Sequence, residues 1–143
     1  MKKGFTLIEL LVVIAIIGVL SSIVISSMNQ ARAKGRYTKT ILDMKEMEKA
    51  AIMDFDSYNS WAPDVGPAGN PRFVPSVLAS WPTPQCSGWT YDWENWGSTI
   101  RISLRKVSVA TVYYYCIWTS TDCTASDGTP LQNVSSKSIT CNE

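Results

Sequence analysis

The sequence predicts an α+β protein: one long N-terminal helix, its first half transmembrane, packed against a small antiparallel β-sheet of three to four strands. Three observations carry this. Residues 5–25 are apolar or small and neutral apart from Glu9, residues 37–58 repeat apolar side chains at every third or fourth position, and residues 88–118 hold three aromatic and β-branched runs separated by turn residues.

The first element is the apolar stretch. At about 1.5 Å rise per residue, residues 5–25 extend about 31 Å, close to a hydrocarbon core about 30 Å thick. A carboxylate inside a spanning helix is costly unless paired, so Glu9 marks a functional site in need of a cationic partner. Lys2 and Lys3 precede the run with no acid among them, which orients this end toward the cytoplasm and the rest of the chain outward. The apolar part is longer than a secretory signal core, and residues 21–35, SSIVISSMNQARAKG, continue in helix-compatible residues. The hydrophobic segment is therefore expected to be retained.

The opening "KKGFTLIELLVVIAIIGVL" resembles the class III leader and N-terminal helix of type IV pilins and of the related pseudopilins of type II secretion. Basic residues, a glycine, an aromatic start and one acid in a bilayer-length helix carry the resemblance, over roughly the first 35 residues. It implies cleavage after Gly4 by a prepilin peptidase, removing residues 1–4 as a leader, and methylation of the new amino terminus at Phe5. It also implies the partner for Glu9: the Phe5 amine of a neighbouring subunit displaced axially by about one turn. Such a pair between subunits fixes register, as buried polar residues do in coiled coils, because slipped arrangements leave the carboxylate unpaired. The other reading is a Glu that snorkels toward the cytoplasmic face.

Residues 5–27 are then the transmembrane and filament-core half of the helix, and residues 28–58 its amphipathic half. Tyr37, Ile41, Met44, Met47, Ala51, Phe55 and Tyr58 form one stripe, while Arg36, Lys39, Asp43, Lys45, Glu46 and Lys49 occupy other faces. No proline interrupts residues 5–61, so one continuous helix of about 50 residues is expected. Gly18, Gly35 and two serine pairs are its weak points. Many members of the resembled family carry a helix proline near position 26, where this chain has Ser26.

Residues 59–85 contain six of the seven prolines and no sustained periodicity, and read as a connecting loop. Residues 86–143 are expected to form the sheet and a disulfide-bonded C-terminal region, with strands at residues 88–94, 99–105 and 111–118. Alternation in a meander puts Trp89, Tyr91 and Trp93 on the core face with Ile100, Ile102, Leu104, Val112, Tyr114 and Cys116. The opposite face collects Asp92, Arg101, Ser103, Arg105, Tyr113 and Tyr115, with Asp92 and Arg101 placed to pair and the two tyrosines exposed. Most of the aromatic rings thus pack in the core rather than forming a platform for carbohydrate or nucleic acid.

Cys86, Cys116, Cys123 and Cys141 are an even number in an exported domain with little core, which favours disulfides over a metal site. The meander brings Cys116 near Cys123 and Cys86 near a returning segment with Cys141, so these two pairs are expected. The resemblance offers Cys123 with Cys141 as a competitor. It also offers calcium for Asp122 and Asp127, two acids that otherwise are simply solvated.

At 143 residues, a net charge of +1 and no histidine, the chain shows no bias toward nucleic acid and lacks the base of Ser-His-Asp or Cys-His catalysis. No catalytic residue, resident metal or cofactor is expected. The resemblance implies a structural subunit of a type IV pilus, stored as a single-pass membrane protein and polymerised through its N-terminal helix into a homo-oligomeric surface filament. A major pseudopilin is the alternative, and a membrane-anchored binding protein or enzyme the reading of another class. The partners implied are the prepilin peptidase, an inner-membrane assembly platform and membrane lipid.

Overall fold

The structure, a computed structural model, describes residues 4–67, 69–106, 112–119, 129–131 and 134–141. One helix, α1 (Leu7–Tyr58, 52 residues), is followed by β1 (Trp89–Asn95), β2 (Thr99–Lys106), β3 (Val112–Thr119) and the short β4 (Thr129–Pro130). The sheet order is β1-β2-β3-β4. The first three strands are antiparallel and β4 runs parallel to β3, so the sheet is mixed rather than wholly antiparallel.

Helix α1 ends where Asn59 adopts the left-handed conformation (φ 50°), which Asn tolerates because its side chain is short and polar; its N–H bonds the Phe55 carbonyl at 2.7 Å. The second half of α1 covers one sheet face. Met44, Met47, Ala50 and Ala51 meet Tyr91, Trp93, Ile102 and Leu104, all buried. Two polar ties fix helix to sheet: the Tyr91 hydroxyl donates to Asp43 at 3.0 Å and the Tyr115 hydroxyl to Glu48 at 2.9 Å. Burial, with the Asp43 charge beside it, pushes the Tyr91 hydroxyl well above its ordinary pKa, so it remains a donor.

The connection through residues 59–85 is part of the core rather than a solvated linker. Phe73 is fully buried and meets Trp93 edge-on at 5.1 Å, Trp61 packs on Phe55 at 4.6 Å, and the Trp93 indole donates to the Ala62 carbonyl at 3.0 Å. Arg72 clamps this loop to the helix through Asp54 at 2.7 Å and the Ser60 carbonyl at 2.7 Å. Prolines punctuate the segment, but its aromatic residues decide where it lies.

The face assignment of β3 differs from that expected. Ile102 pairs with Tyr115 and Leu104 with Tyr113, so Tyr113 and Tyr115 share the core face and Tyr114 lies opposite with Ser103. Tyr113 is buried and stacks on Trp89 at 6.0 Å. The physical reason is that both rows of β3, Val112/Tyr114/Cys116 and Tyr113/Tyr115/Ile117, are apolar or aromatic, so alternation cannot choose between them. The expected Asp92–Arg101 pair is also replaced. The register sets Glu94 directly across from Arg101 and Asp92 across from Ser103; Arg101 pairs with Glu94, and Arg105 reaches Asp92 at 2.5 Å.

Cys86 and Cys141 are joined by a disulfide, the pair the meander geometry favours. Cys116 is disulfide-bonded as well, and its expected partner Cys123 lies outside the described residues, as do Asp122 and Asp127. The C-terminal segment returns along α1: the Ile139 N–H bonds the Ala33 carbonyl at 3.1 Å, and the Ile139 side chain is buried.

Candidate functional site

Helix α1 begins with a capping box. Thr6 is the N-cap, in extended conformation, and its hydroxyl accepts from the Glu9 N–H at 3.3 Å. Glu9 reaches back, its Oε2 accepting from the Thr6 N–H at 2.8 Å and from the Thr6 hydroxyl at 2.7 Å. Two of the unsatisfied donors at the helix start are thereby paired. Both bonds from Thr6 end on Oε2; Oε1 has no hydrogen bond among the described residues.

The sequence carries this feature openly, as T-x-x-E at positions 6–9 immediately before an apolar run. Beside a cationic partner or snorkelling to the cytoplasmic face, the threonine three residues earlier supplies Glu9 with a local purpose. The two uses are compatible because a carboxylate has two oxygens.

Around and beyond Glu9 the helix is bare. Phe5 is 85% exposed, and Leu10, Leu11, Val12 and Val13, which point in turn around the whole helix, are all exposed. This stretch is long and apolar enough to cross a membrane. A helix that is apolar all round needs lipid or other helices against every face. Gly4 is exposed, with open space where a side chain would lie. The structure brings Glu9 to Thr6, while Phe5 projects without a partner in the described part of the chain.

A second concentration of charge lies on the sheet face away from α1, and it is sealed. Glu94 accepts from Arg101, from Ser103 at 2.6 Å and from Arg105 at 2.5 Å, while Arg101 also lies 4.1 Å from the Trp96 ring centre. Asp92, Glu94, Arg101 and Ser103 are all buried. These pairs hold strands in register, although Asp92, whose Oδ2 meets Arg105, keeps a buried Oδ1 without a hydrogen bond among the described residues. No cluster of three or more metal-ligating side chains occurs among the described residues.

Burial pushes the Asp92 carboxyl up to about 6 from its ordinary 3.8, against the pull of Arg105. Between those values the folded chain keeps a proton that the unfolded chain has lost. Stability is thus full below that window and falls as pH rises through it. We expect the urea midpoint of the detergent-solubilised chain to drop from pH 4 to pH 6 and the drop to be reduced in Asp92→Asn. Equal slopes in the two proteins would show that Asp92 does not titrate there.

Residues 1–25, which hold the capping box and the bare helix, match the family model described as the prokaryotic N-terminal methylation motif. The chain is similar to the "Type IV major pilin protein PilE1" of Neisseria gonorrhoeae, 35% identical over 69 residues, 48% of this chain and 32% of that protein. The N-terminal segment carries that motif and is similar to the corresponding part of type IV major pilins. Further similarity extends to the "Type IV major pilin protein PilA" of Myxococcus xanthus, 33% identical over 68 residues (46% of this chain, 31% of that one), and to the "Fimbrial protein EcpC" of Eikenella corrodens, 34% identical over 85 residues (55% of each). The matched stretches thus span from about a third to just over half the length of these pilins and fimbrial proteins. No solved structure matches significantly. The matched methylation motif spans Gly4, Phe5, Thr6 and Glu9, whereas all four cysteines lie beyond it.

Proposed function

We propose that the chain is a structural subunit of a type IV pilus. A prepilin peptidase removes residues 1–4 and methylates Phe5, the product waits as a single-pass membrane protein, and an inner-membrane platform feeds it into a helical homo-oligomer whose core is the bundled α1 helices. The finished filament stands at the cell surface. The observation that carries this reading is the bare α1 segment, apolar on every face except for Glu9, whose Oε1 is left unbonded. Lipid satisfies such a surface in storage; only neighbouring helices satisfy it in a filament. A neighbour's Phe5 ammonium is a cation small enough to reach Oε1 without displacing Thr6.

The other end of the molecule supports a structural rather than an enzymatic purpose. Its charges are committed to internal pairs, and its disulfide suits an exported domain.

Two measurements on the same preparation test the proposal. Electron microscopy of sheared surface material is expected to show thin filaments whose main protein is this chain. Intact-mass analysis of that protein should give a chain beginning at Phe5 with one additional methyl group. Filaments containing a chain with Met1 retained, or cut beyond Ile25, would refute the processing step.

A further inference from the structure

Directly after the apolar stretch stands a collar of cations. Arg32, Lys34 and Arg36 lie within two turns of α1, none has an ion-pair partner among the described residues, and the chain holds no Asp or Glu from residue 10 to residue 42. Lys39, by contrast, is paired with Asp43. At about 1.5 Å per residue, Arg32 to Arg36 sit about 10 to 16 Å past Ile25. Side chains on a helix lean toward its N-terminus, here back toward the bilayer, and long basic side chains reach further still. Their charged ends fall at the level of the lipid headgroups.

Beside Lys34 the returning C-terminal segment leaves a cleft of about 390 Å³, lined by Asn29, Gln30, Lys34, Ser136, Ser138 and Thr140. The Ile139–Ala33 hydrogen bond holds the two walls together. The cleft wall is mostly apolar, Ala33 included, with polar groups set into it. The Ser138 hydroxyl donates to Ser136 at 2.8 Å, and the Ser136 hydroxyl and the amides beside the Lys34 ammonium suit a phosphate, the apolar wall taking the carbon of the small head attached to it. The collar also stands on the side that carries the disulfide-bonded domain, where Lys and Arg flanking a span are ordinarily sparse.

We infer that this collar and cleft bind the phosphate headgroups of anionic membrane lipid in the stored subunit. The inference rests on the reading of the chain as a membrane-stored pilus subunit. The headgroups neutralise the unpaired cations and set the depth at which the folded domain rides above the bilayer.

The test uses the full chain in phosphatidylcholine vesicles doped with spin-labelled phosphatidylglycerol or spin-labelled phosphatidylcholine, with electron paramagnetic resonance reading the fraction of lipid restrained at the protein. Phosphatidylglycerol is expected to be preferred by about fivefold or more, since a single headgroup-level cation is worth about that factor, and the preference should shrink with salt. The variant Arg32→Gln/Lys34→Gln/Arg36→Gln should lose it, whereas Lys45→Gln, exposed further along the same helix, should keep it. Ser136→Ala/Ser138→Ala preserves the charge and should lower the preference about twofold or more; no change there would overturn the cleft as part of the site. Equal association of the two lipids with an incorporated wild-type chain overturns the collar alone, as does an equal loss in Lys45→Gln. Lower filament yield in the triple variant with its lipid preference intact would likewise overturn it, assigning the cations to contacts between subunits. Failure of the chain to enter vesicles of either composition would overturn the membrane-storage reading and the collar with it.

Discussion

Replacing Cys86 and Cys141 together by Ala is expected to lower the unfolding free energy of the domain by about 4 kcal/mol. The bridge joins positions 55 residues apart, and closing a loop of that length removes chain entropy from the unfolded state by about that amount at 25 °C. Domains of this size are stable by about 5–15 kcal/mol, so the loss is a large share of the total. The closed loop contains all four strands, and its far end anchors the segment that buries Ile139 against α1. Ala is chosen because Cys86 is buried, where a serine hydroxyl would add a desolvation cost of its own. Guanidinium unfolding of the detergent-solubilised chain, followed by tryptophan fluorescence, checks the value. A loss below about 1 kcal/mol with an unchanged denaturant slope would show that the loop constraint matters little. Non-reducing peptide maps that link Cys141 to a different cysteine would remove the basis of the prediction.

The parts of the fold legible in the sequence are those governed by long, one-sided patterns. Helix α1 is one, because the apolar run and the stripe through Met44 and Met47 have no proline between them. The three main strands are another, since Trp96-Gly97-Ser98 separates β1 from β2 and Gly97 adopts φ 75°, a conformation that favours glycine. Where two patterns compete, the sequence does not decide. The tyrosines of β3 fill both rows, so only their partners settle which faces the core: Glu48 for Tyr115 and Trp89 for Tyr113. The docking of residues 59–85 was illegible for a different reason. Trp61 and Phe73 both pack on Trp93, 32 and 20 residues further along the chain, contacts which no local period records. Glu94 is not legible from sequence, because a lone acid in a strand looks solvated until its register partner, Arg101, is known. At the candidate site the acid is legible from its apolar surroundings, and its local partner Thr6 from the T-x-x-E spacing.

On the proposed pairing of Glu9 with a neighbour's Phe5, Glu9→Gln should leave the stored subunit intact and cut filament yield by about tenfold or more, because such a register contact would recur at every subunit added. Glutamine at the third helical position still completes a capping box with Thr6, so the start of α1 in the monomer is unchanged. What it removes is charge. In the wild type Oε1 is free to meet a neighbour's Phe5 ammonium while Oε2 stays with Thr6; in Gln one of the two positions becomes an NH₂ donor, which has no attraction for a cation. Glu9→Ala loses the box and the charge together, yet an alanine is more compatible with lipid than a carboxylate, so insertion and cleavage after Gly4 should persist. Thr6→Val separates the two uses from the other side, opening the box but leaving the carboxylate free to pair between subunits. It should therefore form filaments more readily than either Glu9 variant. The measurement is sheared-filament protein against membrane-held monomer on immunoblots of cells expressing each variant alone. Normal filament yield in Glu9→Gln at equal monomer level would show that Glu9 acts through Thr6, in capping its own helix, and that the register between subunits is set by something else.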